Sequence, residues 1–231
     1  MSYKREFIEF MIEAGALTFG DFITKSGRKT PYFVNTGNYR TGKQIARLGY
    51  FYAACIMDNI REGRVKSDID ALFGPAYKGI PIAVATSVAL AENFDFEVNF
   101  CFNRKEAKDH GEGGLLVGYT PKNGDSVLMV EDVITAGTAV RETLPILKGQ
   151  ADVQIAGLVI SVDRMERGKA DKTATKEIKE EFGIDTFAIV TTRDIIDELY
   201  NVEIGGKIII DDVIKEKMES YFDMYCRAGK E

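Results

Sequence analysis

Two rhythms of apolar and polar positions alternate along the chain. Residues 3–14 place Phe7, Phe10, Met11 and Ala14 on one side and Glu6, Glu9 and Glu13 on the other, so they predict an amphipathic helix. Residues 17–34 read as two short strands around the turn Lys25-Ser-Gly-Arg-Lys29, with Pro31 limiting the second. Thr41 is a good N-cap for a long helix to about Arg61. From there the pattern changes. Short apolar runs at 69–74, 96–102, 126–130, 153–162 and 186–190 predict strands. Helical patterns at 79–92, from about 138 to 148, and at 165–182 fall between them, and 193–200 and 211–226 close the chain. Residues 103–118 are polar and glycine-rich and predict a long loop.

Buried strands alternating with helices point to βαβ units. The expected fold is α/β, an open and mostly parallel sheet flanked by helices. At 231 residues the chain suits one large domain, or one with a small appendage.

Charge narrows the classes of partner. Thirty Lys and Arg against 36 Asp and Glu leave a net charge of -6, which argues against nucleic acid but not against a local anion pocket. Cys55, Cys101 and Cys226 are odd in number and form no C-x-x-C pair, so they read as buried hydrophobes in a reducing cytoplasm. His110 is the single histidine, which excludes a multi-histidine site within one chain. The longest nearly apolar run, 80–91, is too short for a bilayer, so no membrane role is expected.

The strongest chemical signal is Val127-Leu-Met-Val-Glu131-Asp132-Val133-Ile134-Thr135-Ala136-Gly137-Thr138. An apolar strand ends in two carboxylates, and small residues then start a helix. Ligands bind at this end of strands in open α/β sheets. Thr135 to Thr138 offer backbone N–H groups, hydroxyls and a helix N-terminus, all suited to a phosphate. Glu131 and Asp132 would repel that phosphate if they faced it, and they suit hydroxyl donors or a metal held through water. A phosphate beside a diol describes ribose 5-phosphate. Gly74-Pro-Ala-Tyr77-Lys78-Gly79 is a second strand-to-helix turn of the same kind.

The first of these strings resembles the phosphoribosyl-pyrophosphate (PRPP) motif of type I phosphoribosyltransferases. Four more segments resemble the orotate-using members of that family. They are Lys25 to Val34, Phe73 to Pro81, Phe102 to Gly114 and Ile160 to Arg164, all in the expected order. Two departures are visible: Glu131 stands where many relatives have Asp, and Val34 where an aromatic often follows the first Phe.

The resemblance implies a pentosyl-transferring glycosyltransferase of pyrimidine biosynthesis. It would move ribose 5-phosphate from PRPP to orotate, releasing pyrophosphate. It implies one domain over residues 1–231, with a hood formed from about 1–40 and from parts of the C-terminal region. Lys25, Tyr77, Lys78, Arg104, Lys105, Lys108, His110, Glu131 to Thr138 and Ala139 would bind PRPP. Phe33, Val34, Thr135 and Arg164 would bind orotate. Lys105, Lys108, His110 and Asp132 would be the catalytic set. Mg²⁺ would be held mainly through PRPP and water. The 103–114 loop would close over the active site of a neighbouring subunit, which implies a homodimer.

Two rival readings come from the same residues. A phosphoribosyltransferase for another base would carry a different hood and would not need the basic loop. A non-catalytic PRPP sensor should lack the loop cations and carry a DNA-binding helix pair. The chain has the cations and is acidic. The strings G-x-x-x-x-G-K-[ST], G-x-G-x-x-G and G-x-S-x-G are absent, which disfavours a P-loop hydrolase, a Rossmann dehydrogenase and a serine hydrolase.

Overall fold

The computed structural model describes residues 3–24, 27–106, 114–134, 137–168 and 172–226. The chain opens with α1 (Tyr3–Glu13), β1 (Leu17–Ile23), β2 (Lys29–Val34) and a 3-10 turn, then α2 (Gly42–Arg61). The alternating region follows as β3 (Ala71–Gly74), α3 (Gly79–Phe94), β4 (Asn99–Asn103), β5 (Leu116–Gly118), β6 (Ser126–Val133), α4 (Thr138–Gln150), β7 (Gln154–Asp163), α5 (Ala174–Phe182) and β8 (Thr186–Thr191). The chain ends with α6 (Thr192–Leu199), the two-residue strands β9 (Glu203–Ile204) and β10 (Lys207–Ile208), and α7 (Asp212–Tyr225).

These elements form two compact units. One comprises Gly42–Ser161 and Thr175–Ile189. Its sheet runs β5-β4-β3-β6-β7-β8, with β3 parallel to both β4 and β6 and with β5 as an antiparallel edge. The expected mostly parallel sheet is therefore present. Side-chain alternation divides its interior in two. Phe73, Cys101, Val127, Met129, Leu158 and Ile160 pack with Val140, Leu144 and Leu147 of α4 and with Ile178 of α5. Leu72, Leu128 and Val130 have the opposite parity and are also buried, and α3 packs against β3 and β6.

The other unit comprises Met1–Thr41, Val162–Ala174 and Val190–Glu231. The antiparallel β1–β2 hairpin pairs Leu17 with Val34. Phe7, Ile8, Phe10 and Met11 of α1, Ile195, Ile196 and Leu199 of α6, and Met218 of α7 are among its buried apolar groups. A capping box between Thr191 and Asp194 starts α6, and Lys4 of α1 reaches the same Asp194 carboxylate at 3.1 Å.

Three boundaries differ from those the sequence predicts. The strand placed at 96–102 spans Asn99–Asn103. The 103–118 loop ends in β5, because Leu116, Val117 and Gly118 pair with Asn103, Phe102 and Cys101. The helix placed at 165–182 starts only at Ala174. Before it, Met165 takes φ 56° and donates its N–H to the Asp163 carboxylate at 2.7 Å, and Arg167 bridges to Thr173. A non-glycine residue with positive φ cannot continue a right-handed helix, so a turn replaces the first predicted turns.

Candidate functional site

β3 and β6 lie side by side, and their carboxyl ends carry both strand-to-helix turns. Glu131 and Asp132 are the two residues before the last of β6 and are 8% and 6% exposed. Two side chains fix their backbone. The Tyr52 hydroxyl donates to the Glu131 carbonyl and the Ser161 hydroxyl to the Asp132 carbonyl, each at 2.6 Å. Glu131 Oε1 accepts from the Asp132 N–H at 2.9 Å. Asp132 Oδ1 accepts from the Val133 N–H, and Oδ2 from Lys78 Nζ, both at 2.7 Å. Burial, with the neighbouring Asp132 charge, pushes the Glu131 carboxyl up to about 8, against the pull of the Asp132 N–H and Lys78.

The turn after β3 is built on close backbone approach. A Cβ on Gly74 would stand 2.1 Å from the Gly79 carbonyl oxygen, so only glycine fits there. The Ala76 N–H donates to Asn103 Oδ1 at 2.8 Å, and the Ala76–Tyr77 peptide is cis. Asn103 thus ties the end of β4 to this turn. Tyr77 is exposed, and Lys78 directly precedes α3.

Val133, the last residue of β6, and Ile134 after it are half-buried, and Ile134 packs on the core that α4 covers. Gly137 takes φ 67° before α4, a conformation costly for residues with a side chain. Thr138 is exposed and opens the helix, and the Ala139 carbonyl accepts from the Thr143 hydroxyl at 2.6 Å. Arg104 pairs its N–H with the Leu115 carbonyl at 2.7 Å, and its buried Nη1 has no hydrogen-bond partner among the described residues. Lys105 is exposed and pairs with Glu142 of α4 at 3.3 Å. The structure thus brings Lys78 to Asp132, and it sets Lys105 on Glu142. Lys25, Lys108, His110, Thr135 and Ala136 lie outside the described residues.

In the other unit, Phe33 is 38% exposed and its ring centroid lies 5.7 Å from that of Phe22. Val34 next to it is half-buried. Arg164 follows β7 with its side chain 15% exposed. Its Nε donates to Glu166 Oε1 at 2.7 Å. Burial works against the Arg164 charge, and Tyr32, Glu166 and Tyr221 outweigh it, holding the guanidinium above its ordinary value.

Sequence reading missed the supports Tyr52, Asn103, Ser161 and Tyr221. Asn103, a polar residue closing an apolar strand, was the visible signal. Tyr221 reaches Glu166 across 55 positions, and no local pattern announces that contact.

The mostly parallel sheet thus carries both strand-to-helix turns at the carboxyl ends of two neighbouring strands. Residues 36–196 match the phosphoribosyl transferase domain, and the chain belongs to this family. Within it, a relative in Clostridium beijerinckii named orotate phosphoribosyltransferase is 58% identical, over 97% of this chain and 98% of its own. One of the same name in Lachnoclostridium phytofermentans is 53% identical, over 96% of this chain and 97% of its own. The crystal structure of orotate phosphoribosyltransferase from Francisella tularensis matches with a TM-score of 0.80 and 38% identity, over 96% of this chain and all of that one.

Proposed function

We propose that this protein transfers the 5-phosphoribosyl group of PRPP to a ring nitrogen of orotate, giving orotidine 5′-monophosphate and pyrophosphate in pyrimidine biosynthesis. The observation that carries this reading is the pair of buried carboxylates that ends β6 beside the Gly74–Gly79 turn, in a chain more than half identical to enzymes of that name.

The transition state is oxocarbenium-like, with positive charge growing on the sugar and negative charge on the leaving pyrophosphate. In this reading the residues from Thr135 to Ala139 take the 5-phosphate at the N-terminus of α4. Glu131 and Asp132 accept hydrogen bonds from the ribose hydroxyls and lie close enough to favour developing sugar cation. Lys25, Tyr77, Lys78, Arg104, Lys105, Lys108 and His110 serve the pyrophosphate. Lys108 or His110 supplies charge or a proton to it as it departs. Lys78 is drawn from Asp132 to the incoming phosphates, which frees Oδ2 for a sugar hydroxyl. Phe33 and Val34 wall the orotate ring, and the Arg164 fork reads its carboxylate or carbonyl.

Adjacent carboxylates suit Mg²⁺, and among the described residues no cluster of three ligating side chains forms a cage for it. A Mg²⁺ ion here would be held through substrate oxygens and water, with Glu131 and Asp132 around it. When bound it supplies charge neutralisation on the pyrophosphate. The proposed assembly is a homodimer in the cytoplasm, its 103–114 loop completing the neighbour's site. No helix among the described residues is long and apolar enough to cross a membrane.

Purified protein with PRPP, Mg²⁺ and orotate should consume orotate, followed by its ultraviolet absorbance. Turnover with a purine or uracil and none with orotate would overturn the assignment.

A further inference from the structure

Arg164 is held in an unusually complete frame. Its guanidinium carbon stands 4.9 Å from the Tyr32 ring centroid. The Tyr32 hydroxyl meets Thr192 Oγ1 at 2.8 Å, and Thr192 Oγ1 donates to the Arg164 carbonyl at 3.2 Å. Cys226 Sγ reaches the same carbonyl at 3.5 Å. On the guanidinium itself one group dominates. Glu166 Oε1 accepts from Nε at 2.7 Å, and Nη2 lies 2.6 Å from the same oxygen without hydrogen-bond geometry.

Glu166 is itself held from two further sides. Tyr221 of α7 donates its hydroxyl to Oε1 at 2.7 Å. Arg28, in the turn between β1 and β2, places Nη1 3.6 Å from Oε2. Arg28 also donates to the Arg167 carbonyl at 3.0 Å and covers the Tyr225 ring at 4.9 Å. One carboxylate is therefore the meeting point of the hairpin, the segment after β7 and the C-terminal helix. Tyr221 lies beyond residue 196, where the family match ends.

We infer that Glu166, oriented by Tyr221 of α7, is a positioning residue that fixes the Arg164 fork for the base. This rests on the reading of Arg164 as the orotate-binding arginine. The Nε edge of the guanidinium is spent on Glu166. Nη2 faces the same carboxylate oxygen at 2.6 Å, and the Tyr221 hydroxyl also interacts with the Arg164 side chain. A long, flexible side chain is thus fixed at one edge, which sets the plane its guanidinium presents to the base. Fixing the rotamer before binding removes an ordering cost from base recognition. The Arg28 contact also reaches the hairpin turn, so this frame predicts an effect larger for orotate than for PRPP.

The test is steady-state kinetics of Glu166→Gln, Tyr221→Phe and the double variant, with both substrates varied and melting temperatures as a control. Glu166→Gln should raise the KM for orotate about tenfold, with kcat and the KM for PRPP within about twofold of wild type. Tyr221→Phe should raise the orotate KM about threefold. Because Tyr221 and Glu166 hold the same guanidinium, the double variant should fall short of the product of the two single effects. An unchanged orotate KM, a parallel rise in both KM values, or multiplying effects in the double variant would overturn the inference. If Glu166→Gln does not fold, Tyr221→Phe decides alone, a selective rise supporting the inference and an unchanged KM overturning it. Wild-type protein that ignores orotate would instead overturn the activity itself, and the inference with it.

Discussion

Glu131 and Asp132 put two acids where only one charge is easily carried. Burial, and then the Asp132 charge, raises the Glu131 carboxyl from about 4.5 to about 8. The folded state therefore binds this proton more tightly than the unfolded chain does. The resulting stability is full below about pH 4.5 and is lost as pH rises towards about 8. Ligand reverses the preference, because ribose hydroxyls and Mg²⁺ both favour the ionised carboxylate. PRPP with Mg²⁺ should thus displace a proton at pH 7. Calorimetry in buffers of differing ionisation enthalpy should show release of up to about one proton, absent in Glu131→Gln. The same variant should flatten the fall in apo melting temperature between pH 5 and 8 and bind PRPP more weakly. No proton release in the wild type would mean that Glu131 is already ionised before ligand arrives.

Between elements, the tightest constraint is where β3 meets α3. Gly74 and Gly79 touch through backbone, and the Cβ of an alanine at 74 would also stand 2.9 Å from Ala83 Cβ. Gly74→Ala must push the turn and helix away from the strand, at a cost of about 3 kcal/mol. Thermal melts should show a fall on the order of 5–10 °C, with weaker PRPP binding. Gly149→Ala is the control, since a Cβ there meets nothing within 4 Å, and its melting temperature should hold or rise. The strands and helices around this junction were legible because short apolar runs separated by helix-length segments leave local signatures. The edge strand β5 was not, since three residues in a glycine-rich stretch show no periodicity and pair only by tertiary contact. The helix at 165–182 was overextended because its charge run masks the αL turn at Met165, where the backbone N–H bonds to Asp163. The acids, glycines and lysines of the cradles could be read directly. Their supports could not, because Tyr52 meets Glu131 across 79 positions and Ser161 meets Asp132 across 29.

For the whole molecule, the proposed dimer makes a claim that mixing two damaged chains can decide. Lys108→Ala removes a loop cation, and Asp132→Ala removes a strand-end acid whose Oδ2 holds Lys78 at 2.7 Å. Each homodimer should be nearly inactive without being unfolded. Suppose the 103–114 loop serves the neighbour. In a hybrid, the Lys108→Ala chain keeps its Asp132 and receives an intact loop from its partner, so one of its two sites is whole. The other site carries both lesions. Random exchange makes about half of all dimers hybrid, so the mixture should recover about a quarter of wild-type activity. If the loop instead serves its own chain, every site in every hybrid keeps one lesion, and mixing restores nothing. Orotate consumption after co-refolding, read against each variant refolded alone, separates the two outcomes. Recovery well above the homodimers places Lys108 and Asp132 of different chains in one site, whereas no recovery assigns the loop to its own subunit.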